Sequence, residues 1–445
     1  MNTPVCDFVR DYARREPTRL HMPGHKGKAL LGPEPLDITE IPGADVLYQP
    51  TGILRESQDN ASMLFGSAKT VYSTEGSSLC IRAMLYLVRM FARLSGREPR
   101  IAAGRNAHRV FLEAAALLDL TPHWLGAGQG LLSCEIRPEE LQALFTDADT
   151  APAAVYVTSP DYLGNCVDLA VLAEICHKNG ALLLVDNAHG AYLKFLPRSR
   201  HPLDLGADLC CDSAHKTLPV LTGGAYLHFS KDCPASLLPL AERAMALFAS
   251  TSPSYLILQS LDGANRLLAE TYPQALNKTA ELVEKLRISL SRDGWDQVGQ
   301  EPLKLTLRPK SRGYTGSALA EQLETCGIFS EFSDPDNIVF MFTPETPESA
   351  FSALRTALER FSPRDPILTR PPVLQVPAPC MTPREVLFCP FENVSVSDSL
   401  GRVLASPSVS CPPAVPILVC GERITEGALR CFDYYGIQRC DVVLE

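Results

Sequence analysis

The feature that most restricts the fold is an alternation between about residues 65 and 230, where short apolar runs are interleaved with helical spacing. Residues 79–94 (LCIRAMLYLVRMFARL) predict a buried or strongly amphipathic helix. Ala153–Thr158 is a short β-rich run, Leu169–Lys178 has helical spacing, and Ala181–Val185 is again apolar and ends at Asp186. A strand that is apolar throughout must be covered on both faces. Short strands of that kind alternating with helices predict a mainly parallel sheet with helices on both sides.

The rest of the chain divides around that α/β core. Residues 1–60 open with a short amphipathic pattern and continue through the Gly/Pro-rich stretch HMPGHKGKALLGPEP as an amino-terminal arm. The core domain is expected over 61–270. A nearly unbroken helical stretch over 254–292, broken at Tyr272-Pro273, leads into a smaller α+β domain over 271–370, with strands near 302–308 and 337–343 and helices near 316–326 and 347–360. The Pro-rich segment 362–383 reads as a linker over a surface, and a last unit occupies 371–445 with that linker at its start.

Composition excludes several classes. Apolar residues make up 46% and charged residues 21% of the 445 positions, so a disordered chain is not expected. A net charge of −10 repels nucleic acid and anionic membranes. No run approaches the length of a membrane span, and the amino terminus lacks an apolar signal core. The 15 cysteines are scattered, with Cys210-Cys211 the only tight pair and no CxxC pairs to suggest zinc, so no metal site is expected. Many cysteines without a secretion signal point to free thiols in a reducing cytoplasm.

Three places carry candidate chemistry. The run LLLVD ends in Asp186, and in open parallel sheets ligands bind outside the carboxyl ends of strands. The segment Leu209–Lys216 (LCCDSAHK) ends in a lysine accompanied by Ser213 and His215, both able to donate to a phosphate. Glu75-Gly76-Ser77-Ser78 directly precedes the helix at 79–94, and small residues with free N–H groups at a helix amino terminus form an anion site. An amine, a carboxylate at a sheet edge and phosphate donors are what pyridoxal phosphate (PLP) requires.

The motifs around these residues resemble the short form of the ornithine/lysine/arginine decarboxylases. They are LHMPGHKG (Leu20–Gly27), DITE (Asp37–Glu40), the FG-x3-T pattern at Phe65–Thr70, GSS (Gly76–Ser78), RNAHR (Arg105–Arg109), TSPDYLG (Thr158–Gly164), DNAHG (Asp186–Gly190), SAHKTLPVLTGGA (Ser213–Ala225), STSPSY (Ser250–Tyr255), MTPRE (Met381–Glu385) and PPAVPILVCGERIT (Pro412–Thr425). The resemblance implies an aspartate-aminotransferase-like PLP fold, with a large domain on a mainly parallel sheet and a smaller α+β carboxyl-terminal part. Lys216 would hold the cofactor as a Schiff base, Asp186 would keep the ring nitrogen protonated, His108 would stack on the ring and His189 would lie near it. Gly76, Ser77, Ser78, Ser213 and His215 would surround the phosphate. Ser250 and Thr251 would reach the phosphate of a neighbouring subunit, which implies a homodimer or a dimer of dimers. The chain departs from the family pattern at Glu75, Tyr192, Gly223-Gly224, Cys411 and Ala414.

The implied reaction is decarboxylation of arginine, lysine or ornithine to the corresponding polyamine-pathway amine. Two other outcomes fit the same frame: another PLP reaction such as transamination or elimination, or a catalytically silent homologue that regulates a partner. Selecting a basic amino acid needs a carboxylate near the substrate's cationic tail. Glu422, in the loop Cys420–Thr425 after the apolar run Val415–Val419, is the candidate, the alternative being a surface pair with Arg423 or Arg402.

Overall fold

The computed structural model describes residues 1–127, 130–147, 149–409 and 415–444. Its largest sheet has seven strands: β1 (Lys69–Ser73), β2 (Ile101–Gly104), β3 (Pro122–Leu125), β4 (Ala154–Thr158), β5 (Leu182–Asp186), β6 (Leu209–Asp212) and β7 (Ala225–Phe229). They lie in the order β1-β7-β6-β5-β4-β2-β3. β7 is antiparallel to both β1 and β6, whereas β5 pairs with β6, and β2 with β3, in parallel. Every residue of β2, β5, β6 and β7 is buried, as the double covering of the sheet requires. β4 and β5 coincide with the expected apolar runs. β1, β2, β3 and β7 lie where no strand was expected.

The chain falls into two compact units. The first comprises Met1–Pro99, Ala153–Val155 and Leu169–Ala275. Its helix Gly76–Ser95 buries Leu79, Cys80, Ala83, Met84, Leu87 and Val88, a stripe at i, i+1, i+4 and i+5 spacing, and stops at Gly96 in the left-handed conformation. That stripe packs on β5, β6 and β7. The helices Pro4–Arg14, Ile53–Phe65 and Tyr255–Glu270 pack on one another. They meet at the buried Asp262, which accepts from the Cys6 amide at 2.9 Å and the Ser57 hydroxyl at 2.6 Å. The amino-terminal stretch expected as an arm is therefore tied into this unit by its first helix.

The second unit comprises Arg100–Pro152, Tyr156–Asp168 and Leu276–Glu445. It gathers residues that a division by chain order assigned to three different domains, because contacts rather than continuity define it. A four-stranded antiparallel sheet, β8 (Asp296–Val298), β9 (Lys304–Arg308), β10 (Phe332–Ser333) and β11 (Ile338–Met341), has the order β10-β11-β9-β8. The helices Gly316–Glu324 and Glu348–Glu359 contribute Leu319, Leu323, Leu354 and Leu358 to the core built on Leu305, Leu307 and Phe340. The helical stretch breaks as expected, into Tyr255–Glu270 and Tyr272–Arg292. Near the carboxyl terminus β12 (Phe391–Ser395) pairs with β15 (Arg439–Val443), and β13 (Ser408–Val409) with β14 (Leu418–Val419). No helix among the described residues is long and apolar enough to cross a membrane.

Candidate active site

The first unit carries the candidate anion cradle. Gly76 begins the helix with φ +71° and donates its N–H to the Gly223 carbonyl at 2.7 Å. Gly223 itself has φ +97°, and a Cβ there would stand 2.8 Å from the Thr74 carbonyl oxygen. The Gly223-Gly224 departure is thus a packing requirement: the loop after Lys216 lies directly against the backbone that leads into the helix. Ser213 donates its hydroxyl to that of Ser77 at 2.7 Å. Two hydroxyls from different elements therefore meet at the amino terminus of a 20-residue helix, where the first N–H groups have no intrahelical acceptor. Ser78 follows Ser77 and is half-exposed like it.

Glu75 precedes this cradle, and its carboxylate points to the segment expected at a neighbouring phosphate. Its Oε1 accepts the Ser250 amide at 2.8 Å, and the Ser250 hydroxyl in turn accepts the Ser252 amide at 3.1 Å. Ser250 and Thr251 are exposed.

Lys216 lies in the short helix Ala214–Thr217, immediately after β6 and Ser213. Its Nζ is 3.2 Å from His189 Nε2. His189 follows Asp186 by three residues, and Asp186 ends β5 opposite Cys211 of β6 in parallel register. Asp186 is 2% exposed, and its Oδ1 accepts the Ala188 amide at 3.2 Å and the Cys211 thiol at 3.6 Å. His215 directs both its amide and Nδ1 at the Gly224 carbonyl, 3.2 and 3.1 Å away, so on those atoms it secures the loop rather than facing the cradle.

Behind Asp186 and Lys216 is a polar cluster that sequence reasoning missed. Asp212, the last residue of β6, is fully buried. Its Oδ2 meets His201 Nε2 at 3.0 Å and His228 Nε2 at 3.2 Å, and its Oδ1 accepts from Asn187 Nδ2 at 2.7 Å and Cys210 Sγ at 3.4 Å. Burial alone would raise the Asp212 carboxyl, but the two imidazoles and their hydrogen bonds hold it below the ordinary carboxylate range. Burial pushes the His228 ring the other way, below its ordinary value, against the pull of Asp212. Asn187 and Ser213 are the chain neighbours of Asp186 and Asp212, so this cluster ties the strand end that carries the carboxylate to the one that leads to the lysine.

The second unit holds the other two candidates. His108 is the exposed N-cap of the helix Arg109–Leu117, where its Nδ1 accepts the Val110 amide at 3.3 Å. Glu422 is fully buried in a bidentate pair with Arg105, at 2.6 and 2.7 Å, and its Oε2 also accepts the Val419 amide at 2.9 Å. The surface pair expected as the alternative for Glu422 is therefore corrected: the side chain is buried, and its partner is Arg105, neither Arg423 nor Arg402. Arg423 instead meets the Gly401 carbonyl, and Arg402 meets Glu392. Arg105 lies in the RNAHR motif, which drew attention to His108 alone. Cys411 and Ala414, with the start of the motif at Pro412, lie outside the described residues.

The first unit thus joins a lysine amine, a buried carboxylate at a strand end and a hydroxyl-lined helix terminus. Those groups fit PLP, whose aldehyde, ring nitrogen and phosphate need one each. The fold that carries them is that of an α/β enzyme. The Orn/Lys/Arg decarboxylase major domain matches residues 3–298, and the chain belongs to that family. The arginine decarboxylase of Bacillus subtilis is 30% identical over 95% of this chain and 91% of its own length. The lysine decarboxylase LdcA of Pseudomonas aeruginosa is 22% identical, over 94% of this chain and 73% of its own length. Among solved structures, the lysine decarboxylase LdcF of Francisella novicida has the same fold, with a TM-score of 0.82 over 99% of this chain and 81% of that one at 16% identity.

Proposed function

We propose that the protein is a PLP-dependent decarboxylase of a basic amino acid, working as a homodimer or a dimer of dimers in a reducing cytoplasm. The observation that carries the cofactor assignment is that one unit holds the Lys216–His189 contact, the Ser77–Ser213 contact at a helix amino terminus, and Asp186 at the end of the strand beside β6. The arginine and lysine decarboxylase names among the relatives support the reaction, and with the Orn/Lys/Arg family name they leave arginine, lysine and ornithine as the candidate substrates.

When bound, the cofactor supplies an electron sink that accepts the pair left by departing CO₂. The residues of this chain divide the remaining work. Lys216 would hold the cofactor covalently until the substrate's amine displaces it, and its freed amine, beside His189, would then return a proton to the substrate's Cα. Asp186 holds the proton on the ring nitrogen from a water-poor position. The helix terminus at Gly76–Ser78 and the Ser213 hydroxyl hold the phosphate. Ser250 and Thr251 act on the phosphate of the neighbouring subunit.

Incubation of the PLP-loaded protein with arginine, lysine and ornithine side by side tests the reading. We expect CO₂ release from at least one of them, and borohydride trapping followed by peptide mapping should place the label on Lys216. A 2-oxo acid without CO₂, or a label on another lysine, overturns it. Sharing of sites is tested separately by mixing a Lys216→Ala chain with one carrying Ser250→Ala and Thr251→Ala. Verified mixed dimers should regain part of the activity, and inactive ones remove the shared phosphate site.

A further inference from the structure

The Cys210-Cys211 pair is the one tight cysteine pair in the chain, and the proposed reaction makes no use of it. Both residues are fully buried in β6. Successive side chains of a strand point to opposite faces, and these two thiols meet two different aspartates. Cys210 Sγ donates to Asp212 Oδ1 at 3.4 Å, and Cys211 Sγ donates to Asp186 Oδ1 at 3.6 Å. Each thiol is held protonated: burial raises it well above its ordinary value, and the negative aspartates raise it further.

We propose that Cys211 is a positioning residue for the cofactor: its thiol, together with the Ala188 amide, sets the orientation in which Asp186 presents its carboxylate to the ring nitrogen. The inference rests on the reading that Asp186 pairs with PLP. Both donors converge on the same oxygen, Oδ1, from different directions along the chain: Ala188 from two residues after Asp186, and Cys211 from the neighbouring strand. The Cys211 thiol adds to the Ala188 amide a second fixed direction on that oxygen, and it comes from a rigid strand. The register that brings Cys211 opposite Asp186 is held by the backbone as well, since the Asn187 amide donates to the Cys211 carbonyl at 3.0 Å. A thiol suits the position because it is a weak donor. It orients the anion without drawing off the charge that the ring nitrogen needs.

The strand supplies its own control. Cys210 has the same burial and neighbouring backbone, but its thiol serves Asp212 and not Asp186. Cys211→Ala and Cys210→Ala should therefore lower the melting temperature of the PLP-free protein by similar amounts, as buried truncations do. Only Cys211→Ala should weaken PLP binding, by about three- to tenfold, which is the range for losing one modest hydrogen bond. It should also reduce the rise in melting temperature that added PLP produces. Cys211→Ser keeps a donor and should bind PLP within about twofold of the wild type. Should Cys211→Ala not fold, Cys211→Val, which removes the donor while filling the space, takes its place. Wild-type PLP affinity in the Ala or Val variant overturns the inference. So does equal weakening in Cys210→Ala, or a Cys211→Ser protein that binds as poorly as Cys211→Ala. A wild-type protein that takes up no PLP at all would instead sink the assignment of the cofactor site, and the two failures are thereby told apart.

Discussion

Arg105 and Glu422 stand 317 residues apart and close a bidentate ion pair at 2.6 and 2.7 Å, with side chains 1% and 0% exposed. The arrangement assigns Glu422 to the stability of the second unit. Removing one partner of such a pair leaves the other charge buried and uncompensated. Glu422→Gln should therefore destabilise the protein by about 3–5 kcal/mol, read as a lower thermal or urea midpoint. A double replacement by apolar residues, Arg105→Met with Glu422→Leu, should cost less than Glu422→Gln alone, because no unpaired charge remains. A Glu422→Gln protein of unchanged stability would show that Arg105 finds another anion.

Asp186 makes a different prediction because its proposed role is chemical. Asp186→Asn keeps the size of the side chain and removes the charge proposed to face the ring nitrogen. PLP should still bind, measured by titration, while kcat for CO₂ release falls by about a hundredfold or more, since the lost interaction strengthens only as charge develops in the ring. Near-wild-type turnover would exclude Asp186 from that role.

The Ser77–Ser213 contact predicts a coupled effect on cofactor affinity, because the Ser213 hydroxyl gives its one proton to Ser77 and residues in contact do not contribute additively. A hydrogen bond from such a hydroxyl to a phosphate dianion is charge-assisted and contributes about 1.5–3 kcal/mol. Ser77→Ala should weaken PLP binding by about ten- to a hundredfold, and Ser213→Ala by a comparable factor. Pyridoxal without its phosphate provides the check: its affinity should be the same in both variants and in the wild type. Equal losses for PLP and pyridoxal would move the two serines away from the phosphate.

His228 predicts a pH dependence of stability. Its ring sits below its ordinary value of 6.5 because it is buried, so the unfolded chain binds a proton more readily than the folded one. The folded state therefore loses stability as the pH falls below about 6.5, and this contribution is fully restored above it. Urea unfolding of the wild type should show that slope, and His228→Gln, which cannot titrate, should flatten it. Identical slopes in the two proteins would assign the dependence to other groups.

Much of the site could be seen in the linear chain, for a physical reason. β5 is apolar at four consecutive positions and then polar at Asp186, and such a run can be satisfied only by a strand covered on both faces that ends at a sheet edge. The helix Gly76–Ser95 announces itself by its apolar spacing, and the small residues at its start mark an anion site. Lys216 stands in a motif whose neighbours are themselves constrained: the glycines at 223 and 224 are needed for close backbone approach. All these signals are local. They depend on periodicity or on residues within one turn of each other.

The partners of the charged groups were decided only by tertiary structure. β1 (KTVYS), β2 (IAAG), β3 (PHWL) and β7 (AYLHF) are as short as β5 but carry no uninterrupted run of large aliphatic residues like its LLLV, and β3 starts at a proline that reads as a turn. Which acid Arg105 meets, which thiol faces Asp186 and why Asp212 is ionised depend on strand register and on loops far apart in the chain. A buried carboxylate takes whichever donors the packing brings within about 3 Å, and no local pattern encodes that choice. The neighbours of Glu422 in the sequence do not announce a guanidinium; Arg105 arrives from 317 residues away.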